Sequence, residues 1–160
     1  MTATYFVDTN VFVYARDCSE PARHSRAREW VEHLWTTGTG RLSTQVLKEY
    51  YQVVTRRLNP GLSREDARAD IRDLLTWRPL DVSAEVLEQA WSIEDRYGFS
   101  WWNSMILAAA CHLRCDYLLS EDLQSGQDVD GVVVVDPFGT AVNEPSRRSR
   151  PASPNVPPET

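Results

Sequence analysis

Three short apolar runs constrain this chain more than any other feature: Thr4-Tyr-Phe-Val7, Tyr117-Leu-Leu119 and Val132-Val-Val-Val135. Each is rich in β-branched, aromatic or aliphatic residues and too short for a buried helix, so each reads as a strand. None alternates with polar residues, so both faces of each strand must be covered. The first run ends on Asp8-Thr-Asn10, which reads as a loop. The segments between the runs carry helical spacing. Pro21 opens a helix to about Thr36, with Ala27, Trp30, Val31, Leu34 and Trp35 on one face, and Gly38 and Gly40 end it. A second helix follows Leu42-Ser43, with Val46, Leu47, Tyr50, Val53 and Val54 inward, and Asn59-Pro60-Gly61 stops it. Ser63-Arg-Glu-Asp66 resembles a capping box and starts a third, to about Trp77. After a short extended piece at Pro79–Val82, Ser83 caps a fourth helix that Gly98 ends. Ser100 caps a fifth, Trp101–Leu113, apolar nearly all round and therefore buried. Buried strands separated by helices predict an α/β fold, a parallel sheet with helices on both faces. Functional groups in such sheets collect beyond the carboxyl ends of the strands.

The length, 160 residues, suits one domain. Five of the nine prolines fall at 145, 151, 154, 157 and 158, in a segment with almost nothing to bury. The expected division is a folded domain over 1–143 and a disordered Pro/Ser/Arg-rich tail over 144–160. Formal charge is -6, with 17 basic and 23 acidic residues. That excludes coating nucleic acid or anionic membrane by bulk charge. No apolar run approaches the ~20 residues of a membrane span, and the N-terminus carries no secretory pattern. Three cysteines, Cys18, Cys111 and Cys115, make a disulfide framework unexpected, so a cytoplasmic protein with no membrane role is expected. Cys111-His112-x-x-Cys115 lacks the second pair a zinc site needs, and reads as thiols on an apolar helix.

Asp8 follows the first strand and Glu121-Asp122 follow the second, so a parallel sheet brings both to one edge. Glu49, early on the second helix, can look over that edge, and Asn103 lies in the first turn of the fifth helix. Each alone is unremarkable: a turn residue, a solvated helix residue, a helix-start polar residue. Together, two or three carboxylates on one edge repel one another unless a cation offsets them. Oxygen donors of this kind favour Mg²⁺ or Mn²⁺. Arg16, Arg23, Arg26, Arg28, Arg56 and Arg57 are the local cations on an otherwise acidic body that are candidates for holding a phosphate-bearing partner.

Phe6-Val-Asp-Thr-Asn-Val-Phe-Val-Tyr14 resembles the opening motif of PIN-domain ribonucleases, of the kind found as VapC-type toxins in toxin–antitoxin pairs. Leu47-Lys-Glu49-Tyr resembles their second motif, Tyr97 to Ala110 around Asn103 their third, and Leu118-Leu-Ser-Glu-Asp122 their fourth. The motifs occur in order across residues 5 to 138. The resemblance implies a PIN-like three-layer α/β/α fold with a central parallel sheet of four to five strands. It implies a metal-dependent endoribonuclease that leaves a 5′-phosphate and a 3′-hydroxyl, with Asp8, Glu49 and Asp122 as catalytic metal ligands. It further implies Ser120 as a small hydroxyl two residues before the last acid, and a cognate antitoxin as partner. A homodimer is also expected; Trp30, Trp35, Trp101 and Trp102 read first as core residues and not as a stacking platform, with Trp30 and Trp35 also a candidate dimer or antitoxin surface.

The third motif departs from the family. Asn103 stands where the family usually has Asp, so a neutral amide oxygen replaces a carboxylate in the proposed metal and catalytic set. Divalent affinity should fall, and one ion becomes a better fit than two. A natural low-activity enzyme, a natural non-catalytic relative and a deliberate inactivating substitution all fit; the three intact acids weigh against a pure pseudoenzyme. The alternative reading is a catalytically impaired PIN-like RNA-binding or antitoxin-binding module. Other enzyme classes fit less well. An aspartyl-phosphate phosphatase would want an acid at position 10, which is Asn, and a dinucleotide-binding domain would want a Gly-rich turn after the first strand.

Overall fold

The computed structural model describes residues 2–142. The expected tail at 144–160 lies outside the described residues. A five-stranded sheet forms the middle layer in the order β2-β1-β3-β5-β4: β1 is Tyr5–Val7, β2 Gly40–Arg41, β3 Tyr117–Leu119, β4 Asp128–Val129 and β5 Val132–Val135. The expectation of a parallel sheet holds for β2, β1, β3 and β5, but β4 pairs antiparallel with β5. The sheet is therefore mixed, and mostly parallel. The reason is local: Asp130 and Gly131 both take positive φ and turn the chain straight back, so no crossover helix intervenes.

Register decides where the acids go. Tyr5, Phe6 and Val7 pair with Tyr117, Leu118 and Leu119, and those in turn pair with Val133, Val134 and Val135. The Asp8 amide then donates to the Leu119 carbonyl at 3.1 Å and the Ser120 amide to the Val135 carbonyl at 3.1 Å. Asp8 and Ser120 thus leave the sheet at the same level on the same edge.

Among the described residues, six α-helices wrap the sheet: α1 Thr9–Tyr14, α2 Pro21–Thr37, α3 Thr44–Arg56, α4 Arg64–Leu74, α5 Ala84–Tyr97 and α6 Trp101–His112. Helix α1 replaces the expected loop. Its β-branched and aromatic composition disfavours helix, but burial of Val11, Phe12 and Val13 overrides propensity. The α4 helix tightens into a 3-10 turn at Leu75–Trp77, which is where the third predicted helix ended. The extended piece at Pro79–Val82 contributes a single parallel bridge, Leu80 to Ser43. The short strand β2 needs its glycine, because a Cβ on Gly40 would lie 2.3 Å from the Trp77 ring. Ser63, Ser83 and Ser100 each accept an N-terminal amide of the helix they start, as their positions predicted. Trp30 is fully buried and donates its indole N–H to the Pro137 carbonyl at 2.9 Å. It belongs to the core, the first of its two expected places, and not to an interaction surface. Trp35 is partly exposed, against Trp77.

Candidate active site

Asp8, Glu49, Asn103 and Asp122, separated by more than a hundred residues of chain, line one cleft of about 620 Å³ at the carboxyl edge of the sheet. Asp8 comes from the end of β1, Glu49 from α3, Asn103 from the first turn of α6 and Asp122 from the loop after β3. The neighbouring Glu121 instead forms an ion pair with Arg23 outside the cleft.

Asp8 is the buried member, with 7% of its surface exposed. Its Oδ1 accepts the Thr9 amide at 2.7 Å and its Oδ2 accepts the Ser120 hydroxyl at 2.9 Å. Its carboxyl is pushed up to about 6: burial raises it most, the two hydrogen bonds pull it part of the way back, and the nearby Asp122 and Glu49 charges add a smaller rise. The three acids are therefore close enough to feel one another. Ser120 also accepts the Asp122 amide at 3.2 Å, so one hydroxyl ties the first acid to the last. This gives the Ser120 expectation a physical content. Glu49 is oriented by Thr9, whose hydroxyl donates to Oε2 at 2.7 Å, and by Gln45, whose amide donates to Oε1 at 3.0 Å.

Sequence reasoning missed Thr9 and Gln45 as orienting residues. The signals were present. Thr9 adjoins Asp8, and Gln45 precedes Glu49 by one helical turn, the spacing at which helix side chains meet.

Among the described residues, no three His, Cys, Asp or Glu side chains form a ready-made metal cage. The donor set nonetheless fits a hard divalent cation. Every candidate ligand is an oxygen, and Asp8 carries a charge that burial alone disfavours. The buried Gln45 Oε1, on the cleft wall, has no hydrogen-bond partner.

The PIN domain family model matches residues 5–127. The chain belongs to the PIN domain family. No curated protein matches it. Solved structures with a similar fold include VapC20 of Mycobacterium tuberculosis, a sarcin-ricin loop cleaving toxin, at 23% identity, covering 72% of this chain and 87% of that one, with a TM-score of 0.56. Another is VapBC2 from Rickettsia felis bound to a DNA fragment from its promoter, at 17% identity, covering 82% and 96%, with a TM-score of 0.56. A toxin–antitoxin complex from Klebsiella pneumoniae matches at 15% identity, covering 82% and 96%, with a TM-score of 0.53.

Of the six arginines expected to meet RNA in this PIN domain, only Arg57 lines the acidic cleft. Arg16 pairs with Asp70, Arg23 with Glu20 and Glu121, and Arg26 with Glu29. Lys48, the chain's one lysine, does line the cleft and was overlooked. The Cys111 and Cys115 thiols are pushed up by burial, to about 11 and about 12, in keeping with thiols packed on an apolar helix.

Proposed function

We propose that this PIN domain is a divalent-metal-dependent endoribonuclease and the toxin of a toxin–antitoxin pair, with RNA as substrate. The carrying observation is the convergence of Asp8, Glu49, Asn103 and Asp122 on one cleft at the carboxyl edge of the sheet. Asp8, Glu49 and Asp122, with Asn103 as a neutral donor, would hold Mg²⁺ or Mn²⁺. That ion would supply electrostatic polarisation of the scissile phosphate and an acidified water.

The chain's own residues do the positioning. Ser120 and Thr9 fix both oxygens of Asp8, and each oxygen keeps a lone pair that these bonds do not use. Thr9 and Gln45 fix Glu49. Asn103 brings an oxygen without charge, and it cannot take a proton from an attacking water as a carboxylate would. The toxin role and the antitoxin partner are supported by the VapC and toxin–antitoxin structures that share the fold. A homodimer remains part of the same proposal.

The deciding experiment is Asn103→Asp, with Asp8→Ala as control, in cleavage of a structured RNA across a Mg²⁺ titration. The carboxylate should raise the cleavage rate at least ~10-fold and lower the Mg²⁺ needed, because it adds a charged oxygen donor. No gain from Asn103→Asp together with no loss from Asp8→Ala would overturn the assignment. Asn103 itself favours a second reading, an impaired module that binds RNA or antitoxin without cutting. Calorimetry that detects no Mg²⁺ binding below millimolar concentration would support that reading.

A further inference from the structure

The chain has six tryptophans, and five of them meet another aromatic ring. Trp30 lies against Tyr5, Trp35 and Trp77 against each other, and Trp91 against Trp101. Trp102 has no ring partner among the described residues, and at 62% it is the most exposed of the large hydrophobic side chains. It stands on the wall of the acidic cleft, one residue before Asn103. To the same cleft, α3 and its C-terminal cap bring Lys48 and Arg57, both exposed. Neither forms an ion pair among the described residues, whereas Arg16, Arg23, Arg26 and Arg96 all do. An unpartnered indole and two unpartnered cations thus share a cleft whose other charges are carboxylates.

We infer that Trp102 is the base-stacking platform of this cleft, with the phosphates flanking the stacked base held by Lys48 and Arg57. The inference rests on the RNA-substrate reading and names the residues of this chain that position the strand. Leaving an indole in water is unfavourable unless something covers it, and a nucleobase offers a flat π-face of matching chemistry. The two cations supply the contact to the phosphate chain that the acidic body does not. Bases in a duplex are already stacked on their neighbours, so the platform favours an unpaired strand. Trp102 is a specificity residue here, acting on substrate placement.

The test measures binding of labelled RNA to the full chain by fluorescence anisotropy, in EDTA so that metal-dependent cleavage does not intervene. One strand carries bases, and a second of equal length keeps the phosphates but has abasic sugars. Trp102→Ala should raise Kd for the base-bearing strand roughly 5- to 150-fold, leave the abasic strand unchanged, and be largely rescued by Trp102→Phe. Lys48→Ala with Arg57→Ala should weaken both strands alike and flatten the salt dependence. The inference falls if Trp102→Ala affects both strands equally or neither. It also falls if that variant converts a dimer to monomer by light scattering with no base-dependent loss, since Trp102 would then be a protein contact. Cleavage by the unaltered chain in Mg²⁺ separates the two claims: cleavage with no base-dependent Trp102 effect breaks this inference and leaves the nuclease reading intact.

Discussion

Two aspartates, the buried Asp8 and the half-buried Asp70, are handled in opposite ways. Asp70, on α4, accepts both Nε (2.9 Å) and NH2 of Arg16 and the Tyr50 hydroxyl at 2.5 Å. The carboxylate raises both partners: Arg16 is held more firmly protonated, and Tyr50 is pushed up by burial and by Asp70. That charge is fully answered within the protein. Asp8 receives two neutral donors, no cation, and two like charges nearby. A paired acid is a fastening between helices. An unpaired one in a cleft is a charge held ready for something brought from outside.

The largest expected effect comes from neutralising Asp8. Asp8→Asn should reduce metal-dependent cleavage at least ~100-fold, the scale for removing one fixed electrostatic group from a site. It should also make the metal-free fold more stable at neutral pH, a combination Asp70 cannot give. Because the folded-state value, about 6, lies above the ordinary 3.8, the Asp8 contribution is fully present below about pH 3.8. It is lost as pH rises through about 6, a difference of about 3 kcal/mol. Melting curves in EDTA between pH 4 and 8 should therefore slope downward, and Asp8→Asn should flatten that slope. An unchanged slope would show that Asp8 is not the titrating group.

Ser120→Ala comes next. It removes a hydrogen bond from Asp8 and frees the Asp122 amide, so cleavage should fall roughly 10- to 100-fold, as for residues that orient metal ligands. Its Asp8 carboxyl should titrate higher still, visible as a shifted pH–rate profile. A variant with normal activity and an unshifted profile would reduce Ser120 to packing. The smallest effect belongs to Asp70→Asn. Arg16 is about half exposed, so solvent screens much of the pair, and the loss should be about 1–2 kcal/mol, mostly from the Tyr50 hydrogen bond. Denaturant melts would measure it. Cleavage should not change; a matching loss of activity would erase the contrast between the two acids.

Much of the fold was legible because its signals are local. The strands at Tyr5–Val7, Tyr117–Leu119 and Val132–Val135 are continuous apolar runs, and the serine caps stand where helices begin. The two-residue strands β2 and β4 were not legible, because Gly40-Arg41 and Asp128-Val129 carry no strand pattern of their own. They exist because β1 and β5 offer unpaired edges. Helix α1 was hidden by its own β-favouring composition. Of the four cleft residues, Asp8 and Asp122 were legible because an acid after a strand end is a sequence fact and a parallel sheet gathers such ends, whereas Glu49 and Asn103 were legible only from their places early on two helices. The arginines were not: whether a surface arginine meets substrate or a nearby carboxylate depends on neighbours that only folding supplies, and Arg16, Arg23 and Arg26 all found carboxylates.

By itself, then, the sequence determined the layer order, the sheet edge on which Asp8 and Asp122 emerge, and that position 103 carries an amide and no charge. Periodicity and side-chain chemistry are properties of the chain before it folds. Tertiary structure alone decided that Ser120 would join Asp8 to Asp122, that Thr9 and Gln45 would orient Glu49, and that Trp102, Lys48 and Arg57 would face the same cleft. Those contacts are set by strand register and helix packing, which bring residues together across long stretches of chain.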